Sequence, residues 1–159
     1  MPNTYTQLYV HVVFAVKGRR NLIAAKWKDH LYQYITGIIQ GKRQKLMVIN
    51  GMPDHLHLFI GIHPDCNLSD LVRDIKSNSS KWINDNKLTQ VKFQWQTGFG
   101  AFSKGQSEIK TVINYILNQE EHHKKKSFRQ EYVDLLDSYE ISYHSDYLFD
   151  DFGVAPTEL

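Results

Sequence analysis

The sequence predicts an α+β fold, because segments with the period of a strand alternate with segments with the period of a helix. Gln7 to Lys17 alternates its side chains between two faces, as a strand does. Ala24 to Gln40 places apolar residues three and four positions apart, as an amphipathic helix does. Lys45 to Asn50 and His55 to Ile62 have strand character and are joined by a turn over 51–54. The first half therefore has the order β-α-β-β.

The second half continues this alternation. A second helix is predicted from Leu68 to Asn84, with Asn67 or Ser69 as its N-cap. A short strand over 93–95, continued after a break over 98–103, comes next. A third helix is predicted from Glu108 to His123 with Ser107 as its cap, and a short helix begins near Arg129. The order β-α-β-β-α-β predicts a ferredoxin-like (RRM-like) antiparallel sheet with helices on one face, plus an extra C-terminal helix that carries Tyr115.

The composition indicates one folded domain. The chain has 159 residues, of which 42% are hydrophobic, so it can bury a sizeable core. We assign residues 1–149 to this domain and residues 150–159 to an acidic tail. The net charge is only +2, so any electrostatic argument for a nucleic-acid partner must rest on local clusters.

The cysteine content and the lack of long apolar runs give two further exclusions. Cys66 is the only cysteine, which rules out an internal disulfide and a multi-cysteine zinc site. A single cysteine fits a reducing cytoplasm. Since no apolar run approaches about 18 residues, we predict neither a membrane span nor a signal peptide and expect a cytoplasmic protein.

Two histidines form the first candidate site. His55 and His57 lie two apart on a predicted strand, so both imidazoles point to the same face. Leu56 and Leu58 point to the other face, towards the helices, which leaves the histidines and Phe59 on the face predicted to be open. A His-x-His pair is more often structural than metal-binding, so the pair alone is a weak signal.

The third predicted helix strengthens this signal. Tyr115 and Gln119 are four residues apart and share one helix face. They offer a nucleophile and a further metal ligand, the set that metal-assisted transfer to a tyrosine requires. In the alternative interpretation, the Tyr115 ring packs in the core and Gln119 is solvated.

Basic side chains form several local clusters that could contact DNA. The alternative is that each cluster is a solvated face, or, after the third helix, a set of cations that favours a helix C-terminus. The candidates are Lys17, Arg19, Arg20, Arg73, Lys76, Lys104, His122, His123 and Lys124.

Three blocks of sequence carry a family resemblance over about residues 5–149. Pro53 to Phe59, Trp95 to Ser103 and Tyr115 to His123 resemble the HUH-type single-tyrosine transposases of hairpin-ended insertion sequences, the IS-two-hundred and six-hundred-and-five group. The opening strand and basic loop from His11 to Arg20 are similar to those of this family. The glutamine four residues after the tyrosine favours this group over the repeat-associated tyrosine enzymes.

The resemblance implies a specific activity. His55, His57 and Gln119 would bind Mg²⁺ or Mn²⁺, and Tyr115 would attack single-stranded DNA that bears a hairpin. The products would be a 5′-phosphotyrosine link and a free 3′-hydroxyl. Such enzymes act as homodimers in which the tyrosine helix crosses to the partner, and Gly105 could serve as the hinge. We expect His11 beside the site.

Other functions remain open at this point. A non-catalytic, RRM-like module that binds single strands would need stacking aromatics, and the central strand offers only Phe59 in line with the histidines. A metal-dependent hydrolase would need an acid–base group, for which Asp54 is the only close candidate. A domesticated single-strand endonuclease is a third alternative. Covalent capture of DNA separates the binder and the hydrolase from the transposase.

Overall fold

Four strands form one antiparallel sheet in a computed structural model that describes residues 3–144 and residue 148. The acidic tail predicted over 150–159 lies outside the described residues. The strands are β1 Tyr9–Ala15, β2 Lys45–Met52, β3 His55–Gly61 and β4 Gly100–Lys104. Their order in the sheet is β2-β3-β1-β4, and each pair of neighbours is antiparallel. The predicted α+β class is confirmed, and β1 and β3 are the two central strands.

The described residues also form five α-helices. They are α1 Lys28–Gly41, α2 Leu68–Asp85, α3 Ile109–Leu117, α4 Gln119–His123 and α5 Phe128–Ser138. Short 3₁₀ turns over Lys17–Arg19 and Gln106–Glu108 precede α1 and α3. None of the helices in the described part of the chain is both long enough and apolar enough to cross a membrane.

The first face of the sheet is covered by α1 and α2. Leu56, Leu58 and Ile60 of β3 point to this face and are fully buried, as predicted. Their neighbours across the ladder come from β1, with Val12 opposite Leu58. The N-cap of α2 is Asn67, whose side-chain oxygen accepts a hydrogen bond from the Asp70 backbone N–H at 3.1 Å.

The second face of the sheet is covered as well, so the prediction of an open face was wrong. In the cluster on this side, Phe59 of β3 packs with Val112 and Ile116 of α3. Phe128 of α5 packs with Val13 of β1 in a neighbouring cluster. Because β1 carries Val12 and Phe14 on one face and Val13 and Ala15 on the other, it needs apolar cover on both sides. The histidines of β3 are therefore enclosed rather than presented to solvent.

The connection between β2 and β3 is shorter than predicted. Met52 pairs directly with His55, which leaves only Pro53 and Asp54 in the turn. A Cβ on Gly51 would lie 2.2 Å from the carbonyl oxygen of His55, so this position requires glycine. The close approach holds the start of β3 tightly against β2.

Two other boundaries also differ from prediction. Of the segment predicted as a short strand over 93–95, Trp95 forms an isolated bridge with Val16. Its ring packs edge-on against Phe14, with ring centroids 4.7 Å apart, so core packing orders it rather than a ladder. Ser107 does not cap the third helix; instead the Glu108 carboxylate accepts a hydrogen bond from the Gly105 N–H at 2.8 Å.

Candidate active site

His55 and His57 lie at the centre of the candidate site, and both are fully buried. The Nε2 atom of His57 is 3.2 Å from Oε1 of Glu131, and Nε2 of His55 is 3.2 Å from the amide oxygen of Gln119. His55, His57 and Glu131 each offer a ligand atom, and these atoms lie within 4.8 Å of one another. Imidazole nitrogens with carboxylate and amide oxygens are a donor set that suits a divalent cation.

The far sides of both imidazoles are also held. Nδ1 of His55 is 2.7 Å from a carboxylate oxygen of Asp54, and Nδ1 of His57 is 2.8 Å from Nε2 of His11. His11 therefore lies beside the site, where the sequence places it. Hydrogen bonds of this kind fix the orientation of metal-binding imidazoles, so Asp54 and His11 direct both Nε2 atoms into the same space.

A break in the predicted third helix positions the tyrosine and the glutamine. Asn118 leaves the helical conformation, with φ −96° and ψ 27°, and separates α3 from α4. The Asn50 side-chain amide donates to the carbonyl oxygens of Ile116 and Leu117, at 3.0 and 3.2 Å, and so anchors the end of α3 to β2. Gln119 is fully buried as a result.

Tyr115 is half-buried at the edge of the apolar stripe of α3. Its hydroxyl donates a hydrogen bond to Oε2 of Glu131. The Tyr115 ring centroid is 6.0 Å from that of His57 and 4.5 Å from that of His122. In the described chain, the tyrosine thus reaches the histidines of its own sheet.

Glu131 of α5 is the site residue that the sequence interpretation missed. It is only 4% exposed and contacts the side chains of Tyr115, Gln119, His57 and His123. A signal was present, because Glu131 interrupts a helical stripe that otherwise carries aromatic and aliphatic residues. A charged residue on the buried face of a helix is rarely there without a partner.

Burial and mutual contact shift the ionisation of these groups. Burial and the neighbouring His57 hold the pKa of His11 well below its usual value. Burial alone would raise the pKa of Glu131, but hydrogen bonds from His123 and His57 outweigh it and hold the pKa below its usual range. Burial and the Glu131 carboxylate raise the pKa of the Tyr115 hydroxyl. The site therefore pairs an ionised carboxylate with a neutral phenol.

The predicted DNA contacts divide into separate groups. Lys17, Arg73 and Lys76 line one cavity on the α2 side, away from the histidines. Two of these side chains are engaged within the protein, since Lys76 donates to the carbonyl oxygens of Gln96 and Gly98 and Arg73 pairs with Asp70. The α2 cluster therefore does not converge on the candidate site.

The cluster after α3 does reach the site. Tyr115, His122, His123, Lys125 and Lys126 line a second cavity together with Glu131. His123 contacts Gln119 at 3.1 Å through Nε2.

The remaining predicted contacts lie elsewhere. Lys124 is exposed and pairs with Glu121 at 3.0 Å. Lys104 lies over the ring of Tyr139 at 4.9 Å. Arg19 ends the first 3₁₀ turn, and Arg20 follows it.

Comparison with known proteins identifies the family. Residues 4–119 match the model of a family described as "Transposase IS200 like". Because this match covers most of the chain, the protein belongs to the IS200-like transposase family.

A curated relative and two solved structures accompany this match. The ISDra2 transposase TnpA of Deinococcus radiodurans is 27% identical over 75 residues, which are 47% of this chain and 54% of the relative. The chain thus matches about half the length of that relative. A crystal structure of a candidate transposase from Deinococcus radiodurans R1 superposes with a TM-score of 0.59 at 20% identity, over 74% of this chain and 94% of that one.

The second structure is that of a REP-associated tyrosine transposase bound to a REP hairpin. It superposes with a TM-score of 0.56 at 15% identity, over 73% of this chain and 68% of that one. At such identities, both structures establish likeness of the fold alone.

Proposed function

We propose that this protein cuts and rejoins single-stranded DNA at hairpin-bearing element ends, through attack of Tyr115 on a phosphodiester. The observation that carries the proposal is the position of the Tyr115 hydroxyl, which donates to the same carboxylate that contacts His57. In a chain that belongs to the transposase family, the tyrosine and a group of metal-type ligands therefore line one small space. The strand order β2-β3-β1-β4 also supports the ferredoxin-like arrangement expected for such an enzyme.

Two imidazoles and an amide would hold Mg²⁺ or Mn²⁺ in this space. His55 and His57 would bind through Nε2, since Asp54 and His11 already engage the opposite nitrogens. The Gln119 oxygen, 3.2 Å from Nε2 of His55, would be the third ligand. When bound, the cation would polarise the scissile phosphate as a Lewis acid.

Tyr115 would form the covalent bond to the DNA. Its oxygen loses the hydroxyl proton as it attacks phosphorus, the bond between phosphorus and the 3′-oxygen breaks, and that oxygen gains a proton to leave as a free 3′-hydroxyl. A 5′-phosphotyrosine link results. Because a phenol is a good leaving group, the link conserves the energy needed to rejoin the strand without a nucleotide cofactor. His122 packs against the Tyr115 ring and restricts its orientation.

The proposed partners are argued from the basic side chains near Tyr115 and from the similarity of the fold to known transposase structures. Lys125 and Lys126 line the cavity beside Tyr115 and could contact the phosphates that flank the cleaved bond. A hairpin substrate is supported by the fold shared with a transposase bound to a REP hairpin. A homodimer is proposed on the family resemblance, and a cytoplasmic location fits the single cysteine.

The proposal is tested by covalent capture. A hairpin-bearing single strand labelled at its 3′ end is incubated with the protein and Mn²⁺, then run on a denaturing gel. Wild type should shift the label, and Tyr115→Phe should abolish the shift. Tyr139→Phe is a matched control, because the Tyr139 hydroxyl donates to the Ser103 carbonyl oxygen rather than to the site.

The other outcomes have distinct meanings. Cleavage without a shifted band would indicate a hydrolase, and binding without cleavage would indicate a non-catalytic module. A shifted band that persists in Tyr115→Phe would reject Tyr115 as the nucleophile.

A further inference from the structure

The Glu131 carboxylate lies between the groups that would act on a phosphate. One oxygen is 3.2 Å from Nε2 of His57 and 3.2 Å from Nε2 of His123. The other oxygen accepts hydrogen bonds from the Tyr115 hydroxyl and, at 3.2 Å, from the Gln119 amide. The negatively charged carboxylate thus lies between the proposed nucleophile, two histidines and the glutamine.

A phosphodiester has similar demands at this position. Like a carboxylate, it carries one negative charge shared between two oxygens, and it accepts hydrogen bonds from the same kinds of donor. For Tyr115 to attack, the phosphorus must lie about 3 to 3.5 Å from the hydroxyl oxygen. The Glu131 carboxylate is already hydrogen-bonded to that hydroxyl, so its atoms fill the space in which the phosphate would have to stand.

Charge makes simultaneous occupancy unfavourable. In the metal-free site, two unit negative charges about 4 Å apart repel each other strongly. Burial strengthens the conflict, since Glu131 is 4% exposed and His57 is fully buried. A phosphodiester and the Glu131 carboxylate would therefore compete for this space.

We propose that Glu131 holds the position of the scissile phosphate in the DNA-free protein, and that His123 and Gln119 become phosphate contacts when the carboxylate leaves. This inference rests on the proposed function, because it assigns the substrate's place in that same site. Glu131, although grouped with His55 and His57 as a potential metal ligand, then acts as an autoinhibitory group. Its departure requires a rotation of its side chain or a shift of α5.

The fold supplies a path for the strand. The cavity that contains Glu131 and Tyr115 also contains Lys125 and Lys126. A neighbouring cavity, lined by Pro53, Tyr32 and Lys124 among others, shares His123 with it. Lys124 and Lys126 pair with Glu121 and Asp134 at the surface, so a strand that follows these cavities would exchange those ion pairs for phosphate contacts.

The test compares Glu131→Gln with wild type. Affinity for the hairpin-bearing single strand is measured in EDTA, so that binding is separated from cleavage. This substitution removes the negative charge but keeps the shape of the side chain, so it should tighten DNA binding roughly fivefold or more. Asp137→Asn removes one charge from an exposed position of the same helix and should change affinity less than about twofold.

Two further measurements separate this role from that of a metal ligand. Mn²⁺ affinity, measured by calorimetry, should be nearly the same in Glu131→Gln and wild type, and covalent capture should be at least as fast. Unchanged or weaker DNA binding, a loss of Mn²⁺ affinity of about tenfold or more, or a large loss of capture would each overturn the proposal. Glu131→Ala, checked for its fold by circular dichroism, repeats the test with the side chain removed.

The failure of the proposed function has a different signature. If neither wild type nor Glu131→Gln forms a Tyr115-dependent adduct, the proposed function is wrong. If wild type forms the adduct and Glu131→Gln binds DNA no more tightly than wild type, only the proposed autoinhibitory role of Glu131 is wrong.

Discussion

The ring of Phe128 lies parallel to the imidazole of His55, with ring centroids 3.7 Å apart and planes inclined by 5°. This stack joins α5 to β3 directly at the candidate metal ligand. It also explains why a histidine on the second face of the sheet has no exposed surface. The packing of α5 against the sheet and the burial of the site therefore depend on the same contact.

The first prediction concerns this stack. Phe128 is 5% exposed, so Phe128→Ala should lower the free energy of unfolding by about 3 kcal/mol through lost burial and a residual cavity. Urea denaturation followed by circular dichroism measures the change. Leu117→Ala, at a position 55% exposed, should change it by less than about 0.5 kcal/mol. Equal effects of the two substitutions would contradict the burial that the structure gives to Phe128.

The second prediction concerns the metal. His57→Ala should abolish Mn²⁺ binding in calorimetry, because it removes one of two fully buried imidazole ligands. EDTA should stop covalent capture, and Mg²⁺ or Mn²⁺ should restore it. His30→Ala, at an exposed position of α1, should bind Mn²⁺ like wild type. Retained Mn²⁺ binding by His57→Ala would place the metal elsewhere.

The third prediction concerns phosphate contacts. Lys125 is exposed and lines the Tyr115 cavity, so Lys125→Ala should weaken single-strand binding. The slope of log affinity against log salt should become less steep by about 0.7, the value for one phosphate contact on a single strand. Lys81→Ala is the control, since Lys81 is exposed on α2 and pairs with Asp85. An unchanged slope in Lys125→Ala would remove this side chain from the DNA path.

The fourth prediction concerns which subunit supplies the tyrosine. The family resemblance predicts that the tyrosine crosses to a partner, whereas within one chain the Tyr115 ring centroid lies 6.0 Å from that of His57, so we expect Tyr115 to act in its own subunit. Two inactive proteins, His57→Ala and Tyr115→Phe, are mixed under conditions that exchange subunits, and capture is measured. If Tyr115 acts in its own subunit, each site carries one of the two substitutions, so the mixture should form no covalent adduct.

Recovered activity would reverse this conclusion. If the tyrosine crosses to a partner, a mixed dimer has one site with both defects and one intact site. Subunit exchange must be shown independently, for example by copurification of differently tagged chains, for the silent result to count.

The sequence by itself determined the sheet and its two histidines. Strand periodicity placed Leu56 and Leu58 on one face and His55 and His57 on the other, because alternate side chains of a strand point to opposite sides. The alternation of β3 is a local relationship that backbone geometry alone fixes. Helical spacing also predicted that Tyr115 and Gln119 share one face of a single helix, but the helix breaks at Asn118 between them.

The tertiary structure decided what encloses and completes the site. Glu131 meets His57 across 74 residues of sequence, and no local period relates the two positions. Asn118 breaks the third helix where Asn50, on a distant strand, binds the carbonyl oxygens that precede the break. The predicted open face is closed because apolar stripes on α3 and α5 bury themselves against β1 and β3. Burial free energy depends on which surfaces meet in space, so these features arise only when the whole chain packs.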